Sequence, residues 1–461
     1  MYFEQFYLGC LAHASYLFGS DGQAAVVDPQ RDVEIYIEAA KKQGLEIRYI
    51  FETHLHADFV SGHKELAARI GANIYVGKAA EASYPHIGVV DGSELHVGRC
   101  RVNVVATPGH TLESLCLLLT DEEKSQTPFA VLTGDTLFIG DVGRPDLSKT
   151  YTPPQLAGML YDSLQKLMAL PNEVQVYPAH GAGSLCGRNM RAERSSTIGT
   201  ERLTNYALQI KDRDEFIQQM TSNLPARPDY FLEDAAINRA GAVALADLPE
   251  LTPISPAGLK VGLEKGHIAL DVRTADDFAA GHIPASVNIA LSGQFASWAG
   301  AVLGLSSSPV LIAATNEQIT EARMRLARVG IENLSGYLEG GVEGWKQAGF
   351  ELTRMPQVTV EELRKRLDAR DVQVLDVRRQ GEWDASHIEG AEFYPLDRFK
   401  TALPSLDGAA PIAVHCKSGY RSMIAASLLQ RAGQNVINVI GGFDAWEKEK
   451  LPVASGAAVG A

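Results

Sequence analysis

Two histidines and a carboxylate crowd into Thr53-His54-Leu55-His56-Ala57-Asp58-Phe59. Imidazole and carboxylate side by side are the ligand set of zinc, iron and manganese sites. The apolar run Ile47 to Phe51 before them reads as a buried strand. Leu66, Ala67 and Ile70, in a pattern opening near Ser61, read as a helix. Matching ligand types recur at Gly or Pro turns after apolar strands. His110 lies in Thr107-Pro108-Gly109-His110-Thr111, Asp135 in Thr133-Gly134-Asp135-Thr136, and His180 in Tyr177-Pro178-Ala179-His180-Gly181. Loops carried by a rigid sheet are where α/β folds expose chemistry.

The elements that must position these groups are short strands and helices in alternation. Strands are expected at Tyr16 to Phe18, Ala24 to Val27, Ala72 to Val76, in a β-rich section from Leu95 to Leu119, at Phe129 to Thr133 and at Val174 to Tyr177. Helices are expected over Val33 to Gln43 and from about Pro154 to Leu170. The chain has 461 residues, a length that suggests about three domains. With 46% hydrophobic and 21% charged residues, its composition is that of a globular protein. Its net charge, 42 minus 56 or −14, gives no electrostatic footprint for nucleic acid. No apolar run is long enough to span a bilayer, and Met1-Tyr2-Phe3-Glu4-Gln5 does not read as a signal peptide. The five cysteines are odd in number and widely spaced, which fits a reducing cytoplasm better than a disulfide framework. Cys10, Cys100 and Cys116 lie in apolar contexts and read as core.

The four stations His54/His56/Asp58, His110, Asp135 and His180 resemble the metallo-β-lactamase fold family across roughly the first half of the chain. The resemblance implies an αββα sandwich with metal at one edge of its two sheets. Two-metal hydrolases of that family carry a histidine directly after the motif aspartate. Here that residue is Phe59, which has no lone pair to donate, so one mononuclear site is expected: His54, His110 and Asp135. Two histidines and a carboxylate on one face are the arrangement of non-haem iron(II) oxygenases. His56, Asp58 and His180 would then orient ligands or water.

Within that family the chain looks most like the persulfide dioxygenases. The similar runs are Thr53 to Phe59, Gly134 to Leu147 and Tyr177 to Ser184. That resemblance implies oxidation of the outer sulfur of a thiol persulfide to sulfite by iron(II) and O2. Arg144, in Gly143-Arg144-Pro145-Asp146, is a candidate anchor for a carboxylate or phosphate on the carrier thiol, or else a structural partner of Asp141 or Asp146. Cys186 is a candidate sulfur acceptor near the metal, set against a role as a small buried hydrophobe.

From about Leu224 to Pro256, Pro, Ala and Asp accumulate, including Leu224-Pro225-Ala226-Arg227-Pro228, and a linker is expected. Beyond it the sequence repeats itself. Leu270-Asp271-Val272-Arg273, His282-Ile283, Gly340-Gly341 and Trp345 return as Leu375-Asp376-Val377-Arg378, His387-Ile388, Gly441-Gly442 and Trp446. The implied domains are 1–245, 246–355 and 356–461, the last two each alternating strands with helices around a parallel sheet.

Both repeats resemble the rhodanese fold. In the second, an apolar strand delivers Cys416 to the loop Cys416-Lys417-Ser418-Gly419-Tyr420-Arg421-Ser422, which runs straight into a helix. Backbone N–H groups of such a loop stabilise an anionic sulfur adduct, and a Cys416 persulfide is the expected intermediate. Arg421 and Ser422 are further catalytic candidates, and Lys417 and Gly419 are candidates for binding substrate. Four residues separate Cys416 from Arg421, one fewer than in the similar phosphatase loop, and the tighter ring suits sulfur. In the first repeat Ala314 or Thr315 is expected where the cysteine should be, so that copy is expected to be silent.

The sequence thus suggests an α/β multidomain enzyme: an αββα metallo-β-lactamase sandwich followed by two α/β rhodanese domains. The expected reagents are one Fe(II), O2, a glutathione- or coenzyme A-type persulfide, and sulfite or thiosulfate, in a cytoplasmic homo-oligomer (dimer or tetramer) that binds neither nucleic acid nor membrane. The competing readings are a zinc thioester hydrolase of the glyoxalase II type and a non-catalytic sulfur carrier or redox sensor.

Overall fold

A computed structural model describes residues 1–222, 224, 227–406 and 410–456. Pro225 and Ala226 of the expected linker, and residues 457–461 of the expected last domain, lie outside the described residues. The chain forms two compact units, one of residues 1–248 with 327–330, the other of residues 249–326 and from 331 onward.

The first unit contains two six-stranded sheets. One runs in sequence order through β1 (Tyr2–Leu8), β2 (His13–Ser20), β3 (Gln23–Val27), β4 (Glu46–Glu52), β5 (Asn73–Gly77) and β6 (Ile87–Val89). The other holds β7 (Glu94–Val97), β8 (Cys100–Ala106), β9 (Leu115–Asp121), β10 (Ala130–Gly134), β11 (Gln175–Pro178) and β12 (Ser196–Thr197). Side chains alternate across a strand, and here both faces of each sheet are buried. Tyr16 and Phe18 of β2 join Leu115, Leu117 and Leu119 of β9 in one core between the sheets. Leu17, between those two aromatics, faces outward into a core with Tyr36 and Leu66 from the helices Glu34–Lys42 and His63–Ile70. Cys116, one residue off the inner row of β9, joins Leu160, Leu164 and Phe216 from the helices Pro153–Met168 and Arg213–Thr221. Helix, sheet, sheet and helix are therefore stacked in four layers. The period-2 pattern feeds two cores from one strand, which is why these strands read as continuous apolar runs.

The stretch expected to be only a linker contains a helix, Phe231–Ala240, within the first unit. Its small and acidic residues give it a weak apolar stripe, so periodicity did not reveal it.

The second unit has two five-stranded parallel sheets of matching order. The first is β13 (Pro253–Ile254), β17 (Gly336–Leu338), β16 (Val310–Ile312), β14 (Ala269–Asp271) and β15 (Val287–Asn288). The second is β18 (Gln357–Val358), β23 (Val436–Val439), β22 (Ile412–His415), β19 (Gln373–Asp376) and β21 (Glu392–Phe393). A short pair of β20 (His387–Ile388) and β24 (Val453–Ala454) completes it.

The repeated residues hold the same scaffold twice. Asp271 and Asp376 each accept hydrogen bonds from the arginine two residues on, Arg273 and Arg378. His282 stacks on Phe278 and His387 on Trp383, each at 3.7 Å and 7°. Trp345 and Trp446 each donate from Nε1 to a carbonyl six residues on, Glu351 and Pro452, at 2.9 Å. Among the described residues, no helix is long and apolar enough to cross a membrane.

Candidate active sites

The first site sits where β4, β8, β10 and β11 end. His54 follows β4, His110 follows β8, Asp135 follows β10 and His180 follows β11. The two sheets pinch together there. Gly134, at φ +50°, lies so close to Thr53 that an added Cβ would stand 2.6 Å from Thr53 Oγ1. Gly143 passes beneath the site, where a Cβ would meet the Asp135 carbonyl at 1.9 Å and His110 Nδ1 at 2.9 Å. Side chains at either position would pry the site open.

His54, His110 and Asp135 offer ligand atoms that lie within 4.8 Å of one another. His54 Nε2 is 3.8 Å and His110 Nε2 3.4 Å from Asp135 Oδ2. All three atoms are buried without a hydrogen-bond partner. Stranding buried polar atoms is costly unless something satisfies them. Ligand bonds of ~2.1 Å place neighbouring donors ~3.0–3.5 Å apart, close to the spacings here. The donor set therefore fits a metal ion.

The opposite ring nitrogens are spoken for. His54 Nδ1 lies 3.0 Å from Thr53 Oγ1, which donates to Asp28 Oδ2 at 2.8 Å. His110 Nδ1 donates to the Arg144 carbonyl at 2.9 Å. These contacts set the tautomer that leaves Nε2 unprotonated. Burial lowers both histidines, His54 well below its ordinary range with His56 adding to the effect, so both are neutral. Burial would raise the Asp135 carboxyl, but His180 and His54 hold it well below the usual carboxylate range.

The rest of the motif forms a second buried group: ligand atoms of His56, Asp58 and His180 also lie within 4.8 Å of one another. His56 Nε2 lies 3.2 Å from Asp28 Oδ1 and 3.9 Å from Glu52 Oε2. His180 is clamped between two carboxylates: Nδ1 is 2.7 Å from Asp135 Oδ1, and Nε2 is 3.0 Å from Asp58 Oδ2, though off the line of a good hydrogen bond. Burial works against its charge, but Asp135 and Asp58 raise it well above the ordinary histidine range. Phe59 is fully buried, its ring 4.0 Å from that of His13 and 4.4 Å from that of His56.

Cys186 is buried, its sulfur within 4.8 Å of ligand atoms of Asp135 and His180. Burial, then Asp58 and Asp135, push its thiol well up, so it holds its proton. Arg144 is buried, and its fork pairs with Asp146 at 2.6 and 2.8 Å. Its amide donates to the Cys186 carbonyl and its NH1 to the Leu185 carbonyl. Arg144 thus ties the His110 loop to the Cys186 loop, and the guanidinium is engaged rather than held out toward solvent.

Two buried groups here went unread in the sequence. Asn238, on the unexpected helix Phe231–Ala240, spends its whole side chain on the motif loop. Nδ2 donates to the carbonyls of His56 and Phe59 at 2.7 Å each, and Oδ1 accepts from the Ser61 amide at 2.8 Å. His13 is fully buried beside Phe59, with both ring nitrogens unpaired. It stood alone in an apolar stretch, with no spacing signal. Cys10, expected in the core, is only half-buried; Cys100 and Cys116 are buried, and all five cysteines are free.

The second site follows β22. Cys416 is 1% exposed, and its Sγ accepts a hydrogen bond from the Gly419 amide at 3.1 Å. The loop rests on Gly442, at φ +57°, where a Cβ would meet the Cys416 carbonyl at 2.4 Å. Lys417 is exposed. Ser422 is buried and directs its hydroxyl to the Gly419 carbonyl and to Asn438 Oδ1, which braces the loop from behind. Arg421 donates both terminal nitrogens to Glu382 at 2.6 and 2.8 Å. Burial would raise the Glu382 carboxyl, but Arg421 holds it down at about 2.

In the other copy, Gly341 at φ +55° approaches the Ala313 carbonyl in the same way, at 2.5 Å. Asp271 pairs with Ile312 as Asp376 pairs with His415. The cysteine position is therefore Ala313, not Ala314 or Thr315. Sequence spacing misplaced it because the loop lengths of the two copies differ.

The metallo-beta-lactamase superfamily matches residues 8–180, and the rhodanese-like domain matches residues 255–348 and 359–449. A hydroxyacylglutathione hydrolase of Brucella anthropi is 42% identical over 219 residues, covering 46% of this chain and 78% of that protein. A metallo-beta-lactamase structure from Staphylococcus aureus aligns over 73% of this chain and 98% of its own, at 32% identity and TM-score 0.66. ETHE1 from Myxococcus xanthus aligns over 52% of this chain and 99% of its own, at 30% identity and TM-score 0.46. With this sandwich, the buried histidine–aspartate cluster and the repeated parallel sheets, the chain belongs to the metallo-beta-lactamase superfamily and carries two rhodanese-like domains after its N-terminal domain.

Proposed function

We propose that the chain is a persulfide dioxygenase joined to a sulfurtransferase. The N-terminal domain would hold one iron(II) at His54, His110 and Asp135, and Cys416 would carry sulfur. The observation that carries this reading is the buried two-histidine, one-carboxylate face, combined with Phe59, which has no lone pair, directly after the motif aspartate. Iron(II) on such a face supplies O2 chemistry with positions left for substrate and O2. The net reaction is R–S–SH, O2 and water giving R–SH, sulfite and two protons.

The chain's own residues prepare that reaction. Thr53 and the Arg144 carbonyl fix the two imidazoles. His180 keeps Asp135 anionic and aims it, and buried Phe59 and Phe138 line the surroundings with apolar surface. Cys186 contributes a buried, protonated thiol beside Asp135 and His180. At the second site the Cys416 thiolate attacks the outer sulfur of a persulfide. The new S–S bond forms as the old one breaks, and R–S⁻ leaves with the electron pair. Sulfite then attacks the Cys416 persulfide, forming thiosulfate and restoring the thiolate. Run backwards, the same parts use thiosulfate as donor. Holding both sites on one chain raises the effective concentration of the shared sulfite.

A second reading, a zinc-dependent thioester hydrolase, is favoured by the 42% identity to a hydroxyacylglutathione hydrolase. The test is a His54→Ala variant with its metal content measured alongside activity. The dioxygenase reading expects loss of bound iron and of O2 uptake together, with sulfur transfer at Cys416 intact. Full O2 uptake by this variant would refute it.

A further inference from the structure

The helix Tyr420–Arg431 starts inside the reactive loop, and along its length it is fastened to the copy that has no cysteine. Tyr420, directly after Gly419, donates its hydroxyl to the Ala290 carbonyl at 2.8 Å. Gly293, at φ +99°, faces the Tyr420 ring; a Cβ there would come within 3.2 Å of it. Two turns on, the Ser427 hydroxyl accepts from the Asn288 amide at 3.0 Å. At the far end, Gln430 Oε1 meets His282 Nε2 at 2.8 Å. Arg431 donates to the carbonyls of Ala285, Gly266 and His267 at 2.7, 3.0 and 3.1 Å. Ser427 and Asn288 are buried, so these contacts form a packed seam rather than a surface touch.

We infer that the cysteine-less copy is the template that holds the reactive loop in shape, with Tyr420 as the positioning residue at its working end. This rests on Cys416 being the sulfur-carrying thiol. Its own domain holds the loop's carbonyls, Cys416 and Lys417 through the Phe443 and Asp444 amides and Gly419 through Ser422, but Gly419 itself sits at φ +108°, a conformation open to glycine and therefore easily left. The Gly419 N–H must stay aimed at Sγ for the cysteine to carry anionic sulfur. Anchoring the next residue on a separate domain removes the freedom that the glycine introduces. The same contacts explain why a domain that has lost its thiol keeps an intact parallel sheet and its repeated Asp–Arg and His–aromatic pairs.

The experiment compares full-length wild type with Tyr420→Phe and, as a second break in the seam, Ser427→Ala. Three quantities are read: the rate of sulfur uptake by Cys416 from thiosulfate, hydrogen–deuterium exchange over residues 416–422, and the unfolding temperature. Tyr420→Phe removes one hydroxyl and keeps the ring. The expected result is a kcat for sulfur transfer lower by about three- to tenfold, the usual worth of one hydrogen bond, with little change in KM. Loop exchange rises while unfolding temperature barely moves, and Ser427→Ala gives a smaller change in the same direction. Wild-type loop exchange in Tyr420→Phe overturns the inference, and that readout needs no activity. If wild type takes up no sulfur at Cys416 yet Tyr420→Phe loosens the loop, the sulfurtransferase reading fails and the clamp stands.

Discussion

The two rhodanese-like copies share a sheet order, an Asp–Arg pair at the end of a central strand, a stacked histidine, a close-approach glycine and a tethered tryptophan. They differ where chemistry would occur. Cys416, with the Gly419 amide at 3.1 Å, corresponds to Ala313 in the other copy, where the neighbouring Ala314 amide is taken by Gln318 Oε1 at 2.8 Å. Glu382 engages Arg421, whereas Asp277, at the equivalent turn, accepts from Thr274 as a local helix cap. Scaffold and reagent are thus separable: losing the reagent leaves the scaffold standing and free to serve its neighbour.

The largest expected effect breaks the comparison outright. Cys416→Ser makes the second copy resemble the first. It should abolish sulfur transfer, by on the order of 10³-fold or more, while leaving O2-dependent sulfite formation by the N-terminal domain. A thiosulfate assay beside an O2 electrode reads both.

The same division between scaffold and reagent should appear in the N-terminal domain, where Asn238 supports the motif loop without contacting the ligand set. Asn238→Ala is expected to weaken metal binding by about 10-fold, the lower end for groups that orient ligands, as read by competition with a chelator.

A smaller effect concerns pH. The Glu382 carboxyl is held at about 2 against an ordinary value of 4.5. A depressed carboxyl contributes stability that is complete above pH 4.5 and is lost as pH falls through 2. Glu382→Gln should therefore flatten the fall in melting temperature over that window. A wild-type slope in this variant would mean that the arginine pair adds nothing to the second copy.

The smallest expected effect is the attempted repair. Ala313→Cys restores a thiol but not the amide cradle, so sulfur transfer by a Cys416→Ser/Ala313→Cys double variant should stay near background. Appreciable activity would show that the loop matters less than the thiol.

Much of this was legible in the sequence because reactive side chains sit at strand ends and Gly or Pro turns, where residue type and local pattern agree. His54, His110, Asp135, His180 and the Cys416 loop all stood out that way. Partnership across the fold was not legible. Asn238 looked like linker because its helix has a weak apolar face. For Arg144 the sequence offered a pair with Asp141 or Asp146 beside a substrate anchor without deciding between them, and the pairing of Arg421 with Glu382 depends on side-chain direction, which spacing alone leaves open. The register of Ala313 required the strand pairing itself.

The most direct test of the central claim is metal content and O2 uptake on protein loaded anaerobically with iron(II), with glutathione persulfide as substrate. About one iron per chain and stoichiometric O2 consumption are expected, with sulfite appearing in Cys416→Ser and thiosulfate in wild type. No uptake by iron-loaded protein with either glutathione or coenzyme A persulfide, together with thioester hydrolysis by zinc-loaded protein, would contradict that claim.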